Sequence, residues 1–241
     1  YLADIVFVEN GFASELSCEK HLDLVLPSAG LKPDAILAVT SCRSLKYQGG
    51  QPNNELNIEN VQAVKDGLVN MAAHIKHLRN YGLPIIIAIN RFSCDTEAEL
   101  KVVTDYLDTE NLPYAISNGP VEGETGSIDL AKVILNTLDK TSVSGYLPLY
   151  TWNEPIKTKI EKICKKAYGA TEVEYSELAL KQINDYTNRG YSNLPIVMCK
   201  TPASITDNPK ILGAPTGHTI HIREIRLFAG AGFLVPLSGS L

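Results

Sequence analysis

Several things are scarce in this sequence, and each scarcity narrows what the chain can be. Its 241 residues include one tryptophan and two methionines. The five cysteines (Cys18, Cys42, Cys94, Cys164, Cys199) form no CxxC pair and are odd in number. Reduced thiols in a cytoplasmic protein are the simplest reading of that set. Long apolar runs are also missing. "PIIIAI" is strand-sized and far short of a membrane span, so no membrane partner is expected. An excess of positive charge is missing too: the net charge is -5, which provides no global field for nucleic acid. No charged segment precedes an apolar one as in a signal peptide. The chain begins at Tyr1 and reads as part of a longer one. Finally, there is no GxxxxGKS/T loop and no Gly-Lys dipeptide, so the usual phosphate cradle is not in this piece.

What is present is ordinary for a globular protein: 44% hydrophobic and 20% charged residues, enough for one large or two small domains. Short apolar runs alternate with helix-length periodic segments. "ADIVFV" (Ala3 to Val8), "AILAVT" (Ala35 to Thr40), "PIIIAI" and "PYAIS" read as strands. "SELSCEKHLDLVL", stopped by Pro27, reads as a helix, as do a long segment from about Ile58 to Asn80 and "SIDLAKVILNTLDK". The capping box Thr96-x-x-Glu99 opens another helix. A polar loop is expected from Ser41 to about Asn57. The rhythm predicts an α/β fold, a mostly parallel sheet with helices on both faces. Near Ser142 a second, smaller α/β part begins, dividing the chain into 1–141 and 142–241. It holds two amphipathic helices, the buried-strand run "LPIVMCK", and strands in "HTIHIREIRLF" and "FLVPL".

Open parallel sheets bind ligands beyond the carboxyl ends of their strands. The residues expected there include Glu9, Arg43 with Lys46, Asn90 with Asp95, and Lys200. Two cations in one loop, with an acid and a lysine after buried strands, suit an anionic ligand such as a phosphate with a metal ion. Blander roles stand beside these: a helix cap for Asp95, solvated surface for Arg43 and Lys46, a structural hydrogen bond for Glu9. His74 and His77 read as a surface pair rather than metal ligands. His218 and His221 are assigned no role. Gly49-Gly50 and Gly230-x-Gly232 read as turns.

The segments "GYSNLPIVMCKTPASITDNP", "GAPTGHTIHIREIRLFAGAGF", "INRFSCDTEAEL" and "ENGFASELSCEKHLDL" closely resemble the formate–tetrahydrofolate ligase family, and the similarity covers nearly the whole chain. The resemblance implies a P-loop NTPase-like nucleotide-binding portion followed by a folate-site portion. It implies that ATP phosphorylates formate and that formyl phosphate passes its formyl group to N10 of tetrahydrofolate. ATP, Mg2+ and tetrahydrofolate are the implied ligands, with a monovalent cation as a further candidate and a homo-oligomer as the implied assembly. By the same resemblance Glu9 stands near the Mg-phosphate region. Arg43 and Lys46 lie in a loop lining the cleft, Asn90 and Asp95 read the nucleotide base, and Ile205 and Phe233 sandwich the folate ring. The family's usual EAGFGADLG is "ENGFASELS" here and its VRALKMHGG is "CRSLKYQGG". Ala13 replaces a glycine, and Ile205 stands where an aromatic is frequent. A fragment of an active ligase, inactive alone, is the first reading. A non-catalytic or divergent folate- or nucleotide-binding relative is the alternative.

Overall fold

The computed structural model describes residues 3–141 and 145–239. Strands β1 (Ile36–Thr40), β2 (Ile85–Asn90) and β3 (Tyr114–Ser117) form a parallel sheet in that order. The central β2 is buried from Ile85 to Ile89, which its unbroken aliphatic run allows. Register sets Asn90 beside Ser117, so the carboxyl ends of β2 and β3 share one lip.

The helices of this half are α1 (Leu26–Ala29), α2 (Cys42–Gln48), α3 (Val61–Arg79), α4 (Glu97–Thr109), α5 (Gly119–Glu122) and α6 (Ile128–Asp139). Asn60 caps α3 by accepting from the Ala63 N–H, and Lys76 and Arg79 stand in its last turn, where positive charge suits the helix dipole. The capping box at Thr96 and Glu99 forms in both directions, as the sequence predicts. Helices α3 and α4 pack on each other, while α6 lies against β3 and β2.

A second sheet joins β4 (Glu172–Tyr175), β5 (Thr219–Phe228) and β6 (Phe233–Ser238), with α7 (Ile156–Lys166) and α8 (Glu177–Asn188) against it. β4 runs parallel to β5, and β5 pairs antiparallel with β6. One apolar cluster joins Ile87 and Ile89 of the first sheet with Ile220, Ile222, Ile225 and Leu234 of the second.

Four expectations are corrected. Residues 3–8 form no strand: among the described residues none pairs with them, and Val6, Phe7 and Val8 are exposed. Apolar composition cannot supply the neighbour that a strand needs. The first helical stretch does not stop at Pro27. Wide π-type turns at Ser14–Cys18 and His21–Val25 lead into α1, where Pro27 sits in the first turn and its missing N–H costs little. Gly30, left-handed at φ 67, ends it. The expected loop from Ser41 contains α2, because Ser41 and Ser44 cap it reciprocally. "LPIVMCK" runs beside β6 but makes only the bridges Ile196–Leu234 and Cys199–Leu237. Pro236 has no N–H to continue that ladder. The expected boundary at Ser142 lies outside the described residues.

Candidate functional site

Three side chains meet at the lip of the first sheet. The Arg43 guanidinium carbon lies 5.1 Å from the centre of the Phe92 ring, which is 40% exposed. Asp95 closes the loop after β2 by accepting from the Phe92 N–H at 2.8 Å. It does not cap α4; Thr96 does. The other oxygen of Asp95, Oδ1, is buried and accepts no hydrogen bond among the described residues. Burial pushes this carboxyl above its ordinary pKa, against the Phe92 N–H and the cations of Lys46 and Arg43, which hold it down. Asn90 ends β2 half-buried next to Ser117. The lip therefore offers an aromatic face, a planar cation and a desolvated acceptor with capacity to spare.

Lys46 is buried behind that lip. It sits one helical turn beyond Arg43 on α2, wholly buried, with Nζ 2.9 Å from Glu99 Oε1 and 3.1 Å from the Ile58 carbonyl. Burial alone would raise the Glu99 carboxyl, but the Asn60 N–H, the Lys46 amine and the Thr96 N–H hold it below its ordinary value. The expected two-cation loop is thus a helix with one cation outward and one inward. Glu9 is exposed on the irregular segment that precedes Ser14.

Lys200 is likewise interior. Its Nζ donates to Glu15 Oε1 at 2.9 Å, to the Thr201 and Ser204 carbonyls at 3.0 and 2.5 Å, and lies over the Tyr168 ring. Burial holds its pKa below the ordinary value, against the opposing pull of the Glu15 carboxylate. His74 and His77 are not a surface pair. His74 meets Ser14 Oγ at 2.8 Å beside Glu15, and His77, 1% exposed, meets the Ser14 carbonyl at 3.2 Å. Among the described residues no group of three or more His, Cys, Asp or Glu gathers for a metal ion.

Ile205 and Phe233 are not brought together. Ile205 is 5% exposed and belongs to the apolar core. Its loop is tied to the far end of the hairpin, where Asp207 accepts from the His221 N–H. Phe233 starts β6 opposite Phe228, and the two rings stack at 5.5 Å. At about 3.3 Å per residue the length of β6 separates these ends by roughly 17 Å. Gly232, at φ 78, turns the chain into Phe233.

Comparison with known proteins now bears on these residues. The formate–tetrahydrofolate ligase family model matches residues 1–241. The chain belongs to the formate–tetrahydrofolate ligase family. The ligase of Petrotoga mobilis is 40% identical over 240 residues, covering 100% of this chain and 43% of the relative. Those of Pseudothermotoga lettingae and Fervidobacterium nodosum are 37% and 39% identical, with the same coverage. The chain thus spans less than half the length of these relatives.

Within this ligase-family chain, sequence reasoning missed two groups of residues. Phe92, a lone aromatic after a strand, carries no pattern in the sequence. The second group, His221 and Arg223, stands on β5 and had a legible signal. Ile220 and Ile222 are buried, and then Ile225, three residues on rather than two. A strand keeps a core face across such a shift only through a bulge, and the β5–β6 register does slip between Ile222 and Glu224.

Proposed function

We propose that the chain forms part of an ATP-dependent formate–tetrahydrofolate ligase. In the reaction, a formate oxygen takes the γ-phosphoryl group of ATP, releasing ADP. The N10 amine of tetrahydrofolate then attacks the formyl carbon and phosphate leaves. In this reading residues 1–141 are the later part of a P-loop NTPase-like nucleotide domain, and 142–241 carry folate contacts. The observation that carries it is the lip: an exposed aromatic, Phe92, beside a buried, unpartnered acceptor, Asp95 Oδ1. Adenine stacks on the ring and donates its amino group to Asp95, with Asn90 beside them. Arg43 faces the phosphate-bearing side, where a planar fork holds two oxygens. Lys46, locked on Glu99, positions α2 rather than touching substrate. Glu9 is the carboxylate we assign to the side of Mg2+, which when bound would neutralise charge on the phosphates. The Phe228–Phe233 stack offers a face for the pterin, and Ile205 stays in the core at the other end of the hairpin. A cytoplasmic homo-oligomer that acts on small molecules, with a monovalent cation, completes the reading.

The test is direct. Asp95→Ala lowers ATP affinity by roughly tenfold, as loss of a buried acceptor requires, and erases preference over GTP. Equal affinities by calorimetry would mean that Asp95 only closes its loop. The 241-residue chain alone makes no 10-formyltetrahydrofolate, because the phosphate cradle is not in it.

One observation favours a second reading, a relative that binds without catalysis. Ala13 stands at φ 68, where L-residues are strained by roughly 1–2 kcal/mol, in the loop that follows Glu9. Formate-dependent ADP release by the longer protein excludes this reading.

A further inference from the structure

Beyond the lip, an open pocket of about 540 Å³ lies at the end of the second sheet, lined by Asp207 to Lys210, His221, Arg223 and Gly239. We propose that it is a binding site for an oxyanion, a carboxylate or phosphate group, held by Arg223 and Lys210.

Four observations carry this. The bulge between Ile222 and Glu224 leaves Ile222 and Ile225 both in the core while Arg223 lines the pocket beside His221. Bulges re-aim side chains in this way. Arg223 Nε is buried with no hydrogen-bond acceptor, and Arg223 forms no ion pair among the described residues. An orphaned guanidinium donor in a pocket is a cost that an anion removes. Lys210, exposed on the facing loop, also has no carboxylate partner there.

The acid in the lining is already engaged. Asp207 Oδ2 accepts from the His221 N–H at 2.9 Å and lies 3.1 Å from His221 Nδ1, while the far nitrogen of that ring is 3.5 Å from Glu174. The loop is also set in advance. Thr206 Oγ1 accepts from the Asn208 N–H, and Asn208 Oδ1 from the Lys210 N–H, each at 3.0 Å. Behind it Gly239 approaches so closely that a Cβ there would lie 2.4 Å from the Asp207 carbonyl.

Two sources supply such an oxyanion. One is phosphate. The other is the glutamate end of tetrahydrofolate, and this arm rests on the function proposed above. Arg223 and Phe228 are five residues apart along β5, about 17 Å at strand rise. A pterin on the Phe228–Phe233 stack, continued by its p-aminobenzoyl ring, can bring its glutamate to that distance.

Calorimetric titrations of the chain with inorganic phosphate, and separately with p-aminobenzoylglutamate, decide the matter. At least one binds the wild type, and Arg223→Gln weakens it by roughly tenfold or more, the worth of a charge-assisted fork. Arg223→Lys falls between, because it keeps charge without the fork. Arg226→Gln removes an equal charge from the same strand, at an arginine paired with Glu224, and leaves binding unchanged. Lys210→Gln repeats the loss on an exposed loop, so a folding defect at Arg223 cannot hide the answer. Binding of phosphate alone supports the site and assigns it to that anion. Binding of p-aminobenzoylglutamate supports the site and the folate arm together. The proposal falls if neither anion binds, if Arg223→Gln and Lys210→Gln both bind like wild type, or if Arg226→Gln loses as much. Tetrahydrofolate binding that ignores Arg223 sinks the folate arm and leaves the ligase reading standing.

Discussion

Two regions of the molecule solve the same problem with different cations. At the first sheet Lys46 is buried against Glu99 and Arg43 faces outward over Phe92. At the second, Lys200 is buried against Glu15 and Arg223 lines an open pocket. Each region encloses a lysine–glutamate pair at 2.9 Å and leaves an arginine without a carboxylate. A compact ammonium can be surrounded by carbonyls and one carboxylate, which is how Lys200 is held. A guanidinium fork needs two coplanar acceptors, and at Arg43 and Arg223 none of the described residues provides them. The difference teaches how the two cations divide: the lysines hold elements together, and in the reading proposed above the arginines remain for an anion.

The largest expected effect tests that division. Lys46→Met and Lys200→Met each strand a buried carboxylate and lower stability by about 3–5 kcal/mol, whereas Arg43→Met costs no more than about 1 kcal/mol. Urea unfolding measures all three, and a loss at Arg43 as large as at Lys46 breaks the comparison. A pH effect comes next. Burial pushes His77 from its ordinary 6.5 down to about 4. Below pH 6.5 the unfolded chain takes up this proton first, so stability falls until about pH 4, where the folded imidazole protonates too. The loss is about 3 kcal/mol, and His77→Gln flattens that part of the pH–stability curve. A steep slope that survives in the variant removes His77 as its source.

Smaller effects sharpen the second region. Gly239→Ala meets the Asp207 carbonyl at φ 69, whereas Gly217→Ala meets nothing within 4 Å at φ 74. The first loses roughly 1–3 kcal/mol and the second about 1 kcal/mol, since only the first adds a clash to backbone strain. Equal melting temperatures would show that the floor of the pocket yields. The smallest effect is that of Arg43→Lys, under about 1 kcal/mol in stability. In the longer protein it lowers turnover with formate and leaves folate affinity unchanged; wild-type kinetics for both would place Arg43 at the surface only.

Much of the first sheet was legible. "AILAVT", "PIIIAI" and "PYAIS" are strands because unbroken aliphatic runs between turn residues suit a covered sheet, and Thr96 with Glu99 announces its own helix. The site was legible only as far as which residues follow strands. Arg43 and Lys46 look alike in "CRSLK", yet once Ser41 and Ser44 cap the helix one cation is buried on Glu99 and the other lies over Phe92. His74 and His77 look like a polar edge of α3, and only the helical turns at Ser14 and Glu15, packed across them, make them interior.

The sequence by itself determined the alternation of strands and helices, the family, and the cations and carboxylates available for chemistry. These follow from periodicity, capping and motif, which act within a few residues. Tertiary structure alone decided which charges are spent on one another: Glu15 meets Lys200 across 185 residues, and Asp95 keeps one buried oxygen unpaired because no donor among the described residues reaches it. Pairing energy depends on distance and burial, and neither exists until distant segments have packed together.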